Sequence, residues 1–233
     1  TIKCLRELGV ETSFKNNIFT ISGRGFRGYR KPTRLLDAGN SGTTARLLSG
    51  ILAAQNFESV ITGDASLSSR PMKRIIEPLE QMGAIIESDN GKLPLRIFPS
   101  ENLRTINYNM PVPSAQVKSA ILLAGLHLDD ETLVIESQQT RNHTENLLDL
   151  SIIKDSETIT SSVSKRNYPE PKEYFIPGDI SSAMFFVVVT LLTKNSELLI
   201  KDVSLNSTRT ECLNLLKRMG GDIRIEEKGI SNN

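Results

Sequence analysis

The chain has 233 residues, enough for one large domain or two modest ones. Lys and Arg number 28 against 27 Asp and Glu, which argues against a dedicated nucleic-acid binder, since such proteins carry a basic excess. Cys4 and Cys212 make neither a disulfide framework nor a CxxC pair, which points to a reducing compartment, and the longest apolar run, residues 183–192, is too short to span a bilayer.

The chain opens on "IKCLRELG", the pattern of the last turns of a helix, so residues preceding Thr1 are expected. No signal peptide is recognised, and a cytoplasmic location is expected. After the strand "NIFTIS" comes "GRGFRG", residues 23–28, which matches the GxGxxG spacing of a dinucleotide site. That site needs a helix to start at once. Here "YRKPTR" follows, and Pro32 argues for a loop. Arg24, Arg27, Arg30, Lys31 and Arg34 in this stretch fit a solvated loop or a phosphate patch.

"LDAGNSGTTARLL", residues 35–47, has the composition of a helix mouth. A helix N-terminus offers unpaired N–H groups and the positive end of the dipole. A cap alone needs one Ser or Asp; glycines at 39 and 42 add close access to the backbone. Together they suit an anion. The strand "ESVITG" follows, then "GDASLSSRPMKR", where Pro71 suits a first helical position and sets Arg70 at a second mouth. A guanidinium there is explained by a carboxylate or phosphate gripped as a fork, or by a surface ion pair. Ile75, Ile76, Leu79 and Met82 share one face of the next helix, and Asp89-Asn90-Gly91 marks a hairpin turn.

In "PSAQVKSAILLAGL", Ser114 is a good N-cap and Gln116 lies in the first turn, where its amide can reach a ligand. "ETLVIES" is the next strand, and in "TRNHTENLL" Arg141 stands just ahead of a helix. His143-Thr144-Glu145 imitates the HxE of zinc deaminases, but no PCxxC accompanies it, so no metal is assigned. His127 and His143 are expected to be structural or exposed. No nucleophile-base-acid triad is found. Residues 152–175 are polar and Pro-bearing, which suggests a weak edge or a linker and a boundary near residues 172–178. A further apolar helix, "PGDISSAMFFVVVTLL", and a strand, "SELLIKD", come last.

One phrase recurs along the chain: "LRELGVETSF", "LEQMGAIIES", "LKRMGGDIRI" and a weaker "LLDLSIIKDS". Its key positions are Gly9, Gly83, Ser151 and Gly220, about seventy residues apart. Each marks a helix stopped by a residue that tolerates the left-handed conformation, then a strand. The whole unit is β-α-β-α-β-β. About three are present, the first shortened at its front. The first helix of each unit is apolar on most faces, so all three are expected to be buried. If the units pack alike, several hydroxyl-, amide- and Arg-bearing helix mouths converge on a ligand with more than one anionic group.

"LDAGNSGTTARLLSGILA", "GDASLSSRPM", "PSAQVKSAILLAGL", "TRNHTENLL" and "PGDISSA" together resemble the 5-enolpyruvylshikimate-3-phosphate synthase family of enolpyruvyl transferases. The resemblance implies an α/β fold of β-α-β-α-β-β units forming an inside-out α/β barrel. This chain is then about half of a two-domain protein. Residues 1–175 would be most of the first globular half and residues 176–233 one unit of the second. The implied reaction moves the enolpyruvyl group of phosphoenolpyruvate to the 5-hydroxyl of shikimate 3-phosphate and releases phosphate. It serves the shikimate pathway and aromatic amino-acid biosynthesis, by addition and elimination, with no cofactor.

By the same resemblance Gly42 and Arg70 would contact phosphoenolpyruvate, with Asn40 and Thr43 shaping that pocket. Ser114, Gln116 and the backbone of Ala115 would bind shikimate 3-phosphate, Gln116 also touching phosphoenolpyruvate. Arg141, with Thr140, would meet the shikimate phosphate or ring hydroxyls, and Asp179 would cap its helix. No catalytic acid or base is assigned to this chain, so it is expected to be inactive alone and monomeric when complete. The sister enzyme acting on UDP-N-acetylglucosamine carries a Cys where this chain has Ala65, which disfavours it. A non-catalytic anion- or RNA-binding role for the Arg24–Arg34 loop is the other alternative.

Overall fold

Short polar turns between apolar runs set the chain's layout. The structure, a computed structural model, describes residues 1–25, 28–170 and 172–226. Helix α1 (Ile2–Glu7) leads into a hairpin of β1 (Glu11–Lys15) and β2 (Ile18–Ser22). Asn16 and Asn17 turn that hairpin with positive φ, as a two-residue turn matched to strand twist requires. A complete unit follows: β3 (Leu36–Asp37), α2 (Gly42–Ala53), β4 (Ser59–Thr62), the single turn α3 (Ala65–Ser68), α4 (Lys73–Gln81), β5 (Ile85–Asp89) and β6 (Lys92–Phe98). The next unit has β7 (Asn107–Asn109), α5 (Ala115–Gly125), β8 (Thr132–Glu136), α6 (His143–Leu147), β9 (Ser151–Lys154) and β10 (Ile159–Val163). Helices α7 (Ile180–Leu192) and α8 (Glu211–Arg218) follow.

The two complete units have one topology. Their four-stranded sheets run β3-β4-β6-β5 and β7-β8-β10-β9. In each, the first two strands are parallel and the rest antiparallel. A parallel pair needs a crossover, and the buried helices α2 and α5 supply it. Both sheets are mixed, and among the described residues neither is part of a closed barrel.

The repeated helix stop has a common geometry. Gly9, Gly83 and Gly220 all have positive φ, at 83°, 93° and 96°. In each copy the glycine N–H and the next N–H reach back to close the helix: Gly9 to Arg6 and Val10 to Leu5, Gly83 to Glu80 and Ala84 to Leu79, Gly220 to Lys217 and Gly221 to Leu216. These are Schellman ends, which satisfy carbonyls that the helix leaves open. Ser151 is not the fourth copy. It is the first residue of β9, and the left-handed residue is Asp149, with φ 49°. Asp is one of the few non-glycine residues that accept this conformation.

Of residues 152–163, β9 is an edge strand as expected, but β10 is not. β9 and β10 form a regular antiparallel hairpin, and β10 lies inside its sheet, between β8 and β9. Asp155 closes the turn by accepting from the Glu157 and Thr158 N–H groups at 2.8 and 2.6 Å. Ser161 and Val163 are fully buried. Small hydroxyl residues fit a sheet interior that their polarity disguises in sequence.

Two compact units divide the chain: Thr1–Gln138 with Leu150–Tyr168, and Gln139–Asp149 with Pro169–Asn233. The core of the first lies under α2, α4 and α5. Ile75, Ile76, Leu79 and Met82 are all buried, as their spacing predicts. α2 and α5 pack so closely at Gly50 that a Cβ there would overlap the Ala120 carbonyl. In the second unit α7 is not buried as expected: Phe185 is 76% and Phe186 66% exposed, and Ile180 is its buried residue. The strand expected at "SELLIKD", residues 196–202, does not form; an isolated parallel bridge joins Gly178 to Val203 just beyond it. Among the described residues no helix is long and apolar enough to cross a membrane.

Candidate functional site

The mouth of α2 is built by local hydrogen bonding. Asp37 accepts from the Gly39 N–H at 2.8 Å, and Gly39, at φ 57°, turns the chain. Ser41 then caps the helix, accepting from the Thr44 N–H at 3.1 Å. One polar cap satisfies one of the open N–H groups of the first turn. Gly42 begins the helix and is buried. A Cβ on it would lie 2.6 Å from Arg46 Nη1 and 3.6 Å from Arg70 Nη1. The absence of a side chain is what lets the Arg46 guanidinium lie against the first turn, where Arg70 also approaches.

Each guanidinium is held from a different direction. Arg70 donates to Asn40 Oδ1 at 2.7 Å and to Ser66 Oγ at 3.3 Å. Asn40 donates in turn to Asp64 Oδ2 at 2.8 Å. Asp64 caps α3 by accepting from the Leu67 N–H at 2.8 Å. That backbone bond, then the Asn40 amide, holds the Asp64 carboxyl below the usual carboxylate range. Arg70 does not open α4 as the Pro71 reading predicted. α4 starts at Lys73, with Met72 at its cap, so Arg70 sits in the link between α3 and α4.

Arg46 lies one turn beyond Gly42 on the same helix and donates to Gln116 Oε1 at 2.7 Å. Gln116 Nε2 donates to Thr43 Oγ1 at 2.8 Å. Gln116 belongs to the first turn of α5, which Ser114 caps by accepting from the Val117 N–H at 3.4 Å. Ala115 is the first residue of α5, so its N–H is among those no intrahelical carbonyl satisfies. Burial, then Arg70 and Arg74, push the Arg46 guanidinium below its ordinary value. Crowded cations at a helix N-terminus favour a bound anion, because it relieves their repulsion and completes their hydrogen bonds.

Thus two hydrogen-bonded sets, Arg70–Asn40–Asp64 and Arg46–Gln116–Thr43, flank Gly42 at the mouth of α2, and Ser114 and Ala115 directly precede Gln116 at the start of α5. Arg141 belongs to the second compact unit, exposed and ahead of α6. In that unit Asn142 Oδ1 accepts from Asn206 at 2.9 Å, and Thr140 is half-buried. Partial burial, then Arg209 and Arg141, push His143 below its ordinary value. Asp179 caps α7 as expected, accepting from the Ser181 N–H at 3.0 Å.

Two features went unassigned at the level of sequence. Arg46 was legible as a residue four beyond Gly42, hence on its face, but not as a partner of Gln116, seventy residues away in the chain. Below the mouth, Lys118 Nζ and Glu136 form a 2.6 Å ion pair, each side chain 1% exposed. The signal was a Lys in an apolar helix and a Glu closing an apolar strand. Of the basic loop, Arg24 pairs with Glu11 at 2.9 Å, and Arg27 lies outside the described residues. No helix follows Gly28; the chain runs to β3, so the dinucleotide pattern has no structural counterpart. Among the described residues no group of three or more His, Cys, Asp and Glu is arranged for a metal ion.

Residues 1–232 match the family model described as EPSP synthase (3-phosphoshikimate 1-carboxyvinyltransferase). The 3-phosphoshikimate 1-carboxyvinyltransferase of Salinibacter ruber is 45% identical, over 99% of this chain and 54% of its own length. That of Bacillus licheniformis is 44% identical, over 100% of this chain and 55% of its own. A solved EPSP synthase from Acinetobacter baumannii superposes with a TM-score of 0.84 at 41% identity, covering 99% of this chain and 53% of that one. The chain spans about half the length of the curated relatives it matches. On the match along nearly its whole length, the chain belongs to the EPSP synthase (3-phosphoshikimate 1-carboxyvinyltransferase) family.

Proposed function

We propose that this chain supplies part of the substrate site for transfer of the enolpyruvyl group of phosphoenolpyruvate to shikimate 3-phosphate. The products are 5-enolpyruvylshikimate 3-phosphate and phosphate. The observation that carries the reading is the mouth of α2, where Arg46 and Arg70 converge on a glycine helix start and Gln116 joins it from α5. Arg70 and the Gly42 backbone take phosphoenolpyruvate, with Asn40 and Thr43 shaping the pocket. Ser114, the Ala115 N–H, Gln116 and Arg141 serve shikimate 3-phosphate.

The shikimate 5-hydroxyl loses its proton as its oxygen bonds to C2 of phosphoenolpyruvate, while C3 takes a proton. The C2–O bond to phosphate then breaks, C3 gives up a proton, and phosphate leaves. The guanidiniums help by holding the phosphate and balancing the charge that grows on it as it departs. The proton-transfer groups are assigned to the rest of the protein. Residues 1–175 form most of the first half and residues 176–233 one unit of the second, in a cytoplasmic monomer.

A phosphate-release assay on the complete protein tests the reading. Release that requires both phosphoenolpyruvate and shikimate 3-phosphate is the expected result. Release with UDP-N-acetylglucosamine in place of shikimate 3-phosphate would assign the sister reaction instead.

A further inference from the structure

Thr43 and Gln116 hold the same place, the second residue, in the equivalent helices α2 and α5. Their side chains meet across the two units, and Arg46 closes the set. A guanidinium can only donate hydrogen bonds. With Arg46 Nη1 2.7 Å from the Gln116 amide, the group facing it must be Oε1. The opposite orientation would set two donors against each other. Nε2 is therefore turned to Thr43 Oγ1, at 2.8 Å. Because Thr43 Oγ1 accepts there, its own proton points elsewhere. The second Nε2 proton, the Thr43 hydroxyl proton and the remaining Arg46 N–H groups are then the donors that these two bonds leave over.

We propose that Arg46 is a positioning residue that fixes the polarity of the Gln116 amide and so gives the mouth a donor-only face for a phosphate or carboxylate. The proposal rests on the reading above that this mouth takes phosphoenolpyruvate. Its geometric content stands apart from that reading. Gly42 is part of the device, since a side chain there would displace the Arg46 guanidinium. Arg46 and Arg70 are both half-buried beside Gly42, so an anion held there would relieve the repulsion between them.

The test uses the full chain, 15N-labelled, as wild type, Arg46→Met, Arg46→Lys and Gln116→Glu. Gln116→Glu identifies the Gln116 side-chain amide signal by its loss. Each form is titrated by NMR with phosphoenolpyruvate and, separately, with inorganic phosphate. In Arg46→Met the Gln116 amide signals should move and both anions should bind about tenfold or more weakly, each 1.4 kcal/mol being a factor of ten. Backbone signals far from the mouth should stay in place. Arg46→Lys, which still donates, should recover part of the affinity; if the Met form does not fold, the Lys form alone decides by an intermediate loss. Gln116→Glu keeps the Arg46 partner but removes the donor, and should bind no better than Arg46→Met. An unmoved Gln116 amide, or unchanged anion affinity, in Arg46→Met overturns the proposal, as does wild type that binds neither anion. Phosphoenolpyruvate binding no tighter than phosphate would sink the substrate reading alone, and the phosphate series would still judge Arg46.

Discussion

Arg70 reaches the mouth of α2 through a chain of two hydrogen bonds, to Asn40 and from Asn40 to Asp64. A lysine carries the same charge but not the planar fork, so it cannot hold Asn40 and a ligand in one geometry. In the complete enzyme Arg70→Lys should weaken use of phosphoenolpyruvate by about 1.5–3 kcal/mol in kcat/KM; unchanged kinetics would remove Arg70 from the site. The buried pair of Lys118 and Glu136 makes a different kind of demand. Desolvating two charges is expensive, and removing one partner strands the other. Lys118→Met should lower the unfolding free energy by about 3–5 kcal/mol, whereas Lys118→Met with Glu136→Leu should regain most of it. Urea titration followed by circular dichroism checks both. A double variant as unstable as the single one would mean that the pair's further hydrogen bonds, not its charge balance, matter most.

At the scale of elements, the mouths are made by caps and the helices are held by contact. Ser41, Asp64, Ser114 and Asp179 each accept a backbone N–H from their own first turn. Capping residues of this kind are readable from sequence because the bond is local. The packing of α2 on α5 is not local. It depends on Gly50, where any side chain would run into backbone at Ala120. Backbone cannot swing away as a flexible side chain can. Gly50→Ala should therefore destabilise the chain by about 1–3 kcal/mol despite alanine's better helix propensity. It should also loosen the Arg46–Gln116–Thr43 set, which bridges the same two helices. A thermal melt at or above the wild-type midpoint would contradict this. The Ser151 expectation failed at this scale. The repeated phrase puts the helix stop at Ser151, but α6 ends at Leu147 and the chain turns at Asp149.

For the whole molecule, the chain covers about half of its relatives' length, and the proton-transfer groups of the proposed reaction are not assigned to it. Tested by itself it should bind anions and show no turnover with phosphoenolpyruvate and shikimate 3-phosphate; measurable phosphate release would sink that division of labour. Legibility followed distance along the chain. The β-α-β-α-β-β unit, the hairpin turns, the buried face of α4 and the helix caps were all legible, because each rests on neighbours within a few residues and on periodic burial. So were Gly42, Ser114 and Gln116 as candidates, since each sits in a recognisable mouth, and Arg70, though it lies in the link between α3 and α4 and not at the helix start its Pro71 suggested. Tertiary structure alone decided which candidates touch. It joined Arg46 to Gln116, paired Lys118 with Glu136, and put the polar strand β10 inside a sheet. It also left the faces of α7 exposed, although its composition reads as core. The reason is physical. Caps and turns are satisfied by bonds within one segment, whereas buried charge pairs, amide orientation and helix contact are settled by what another unit brings to the same point.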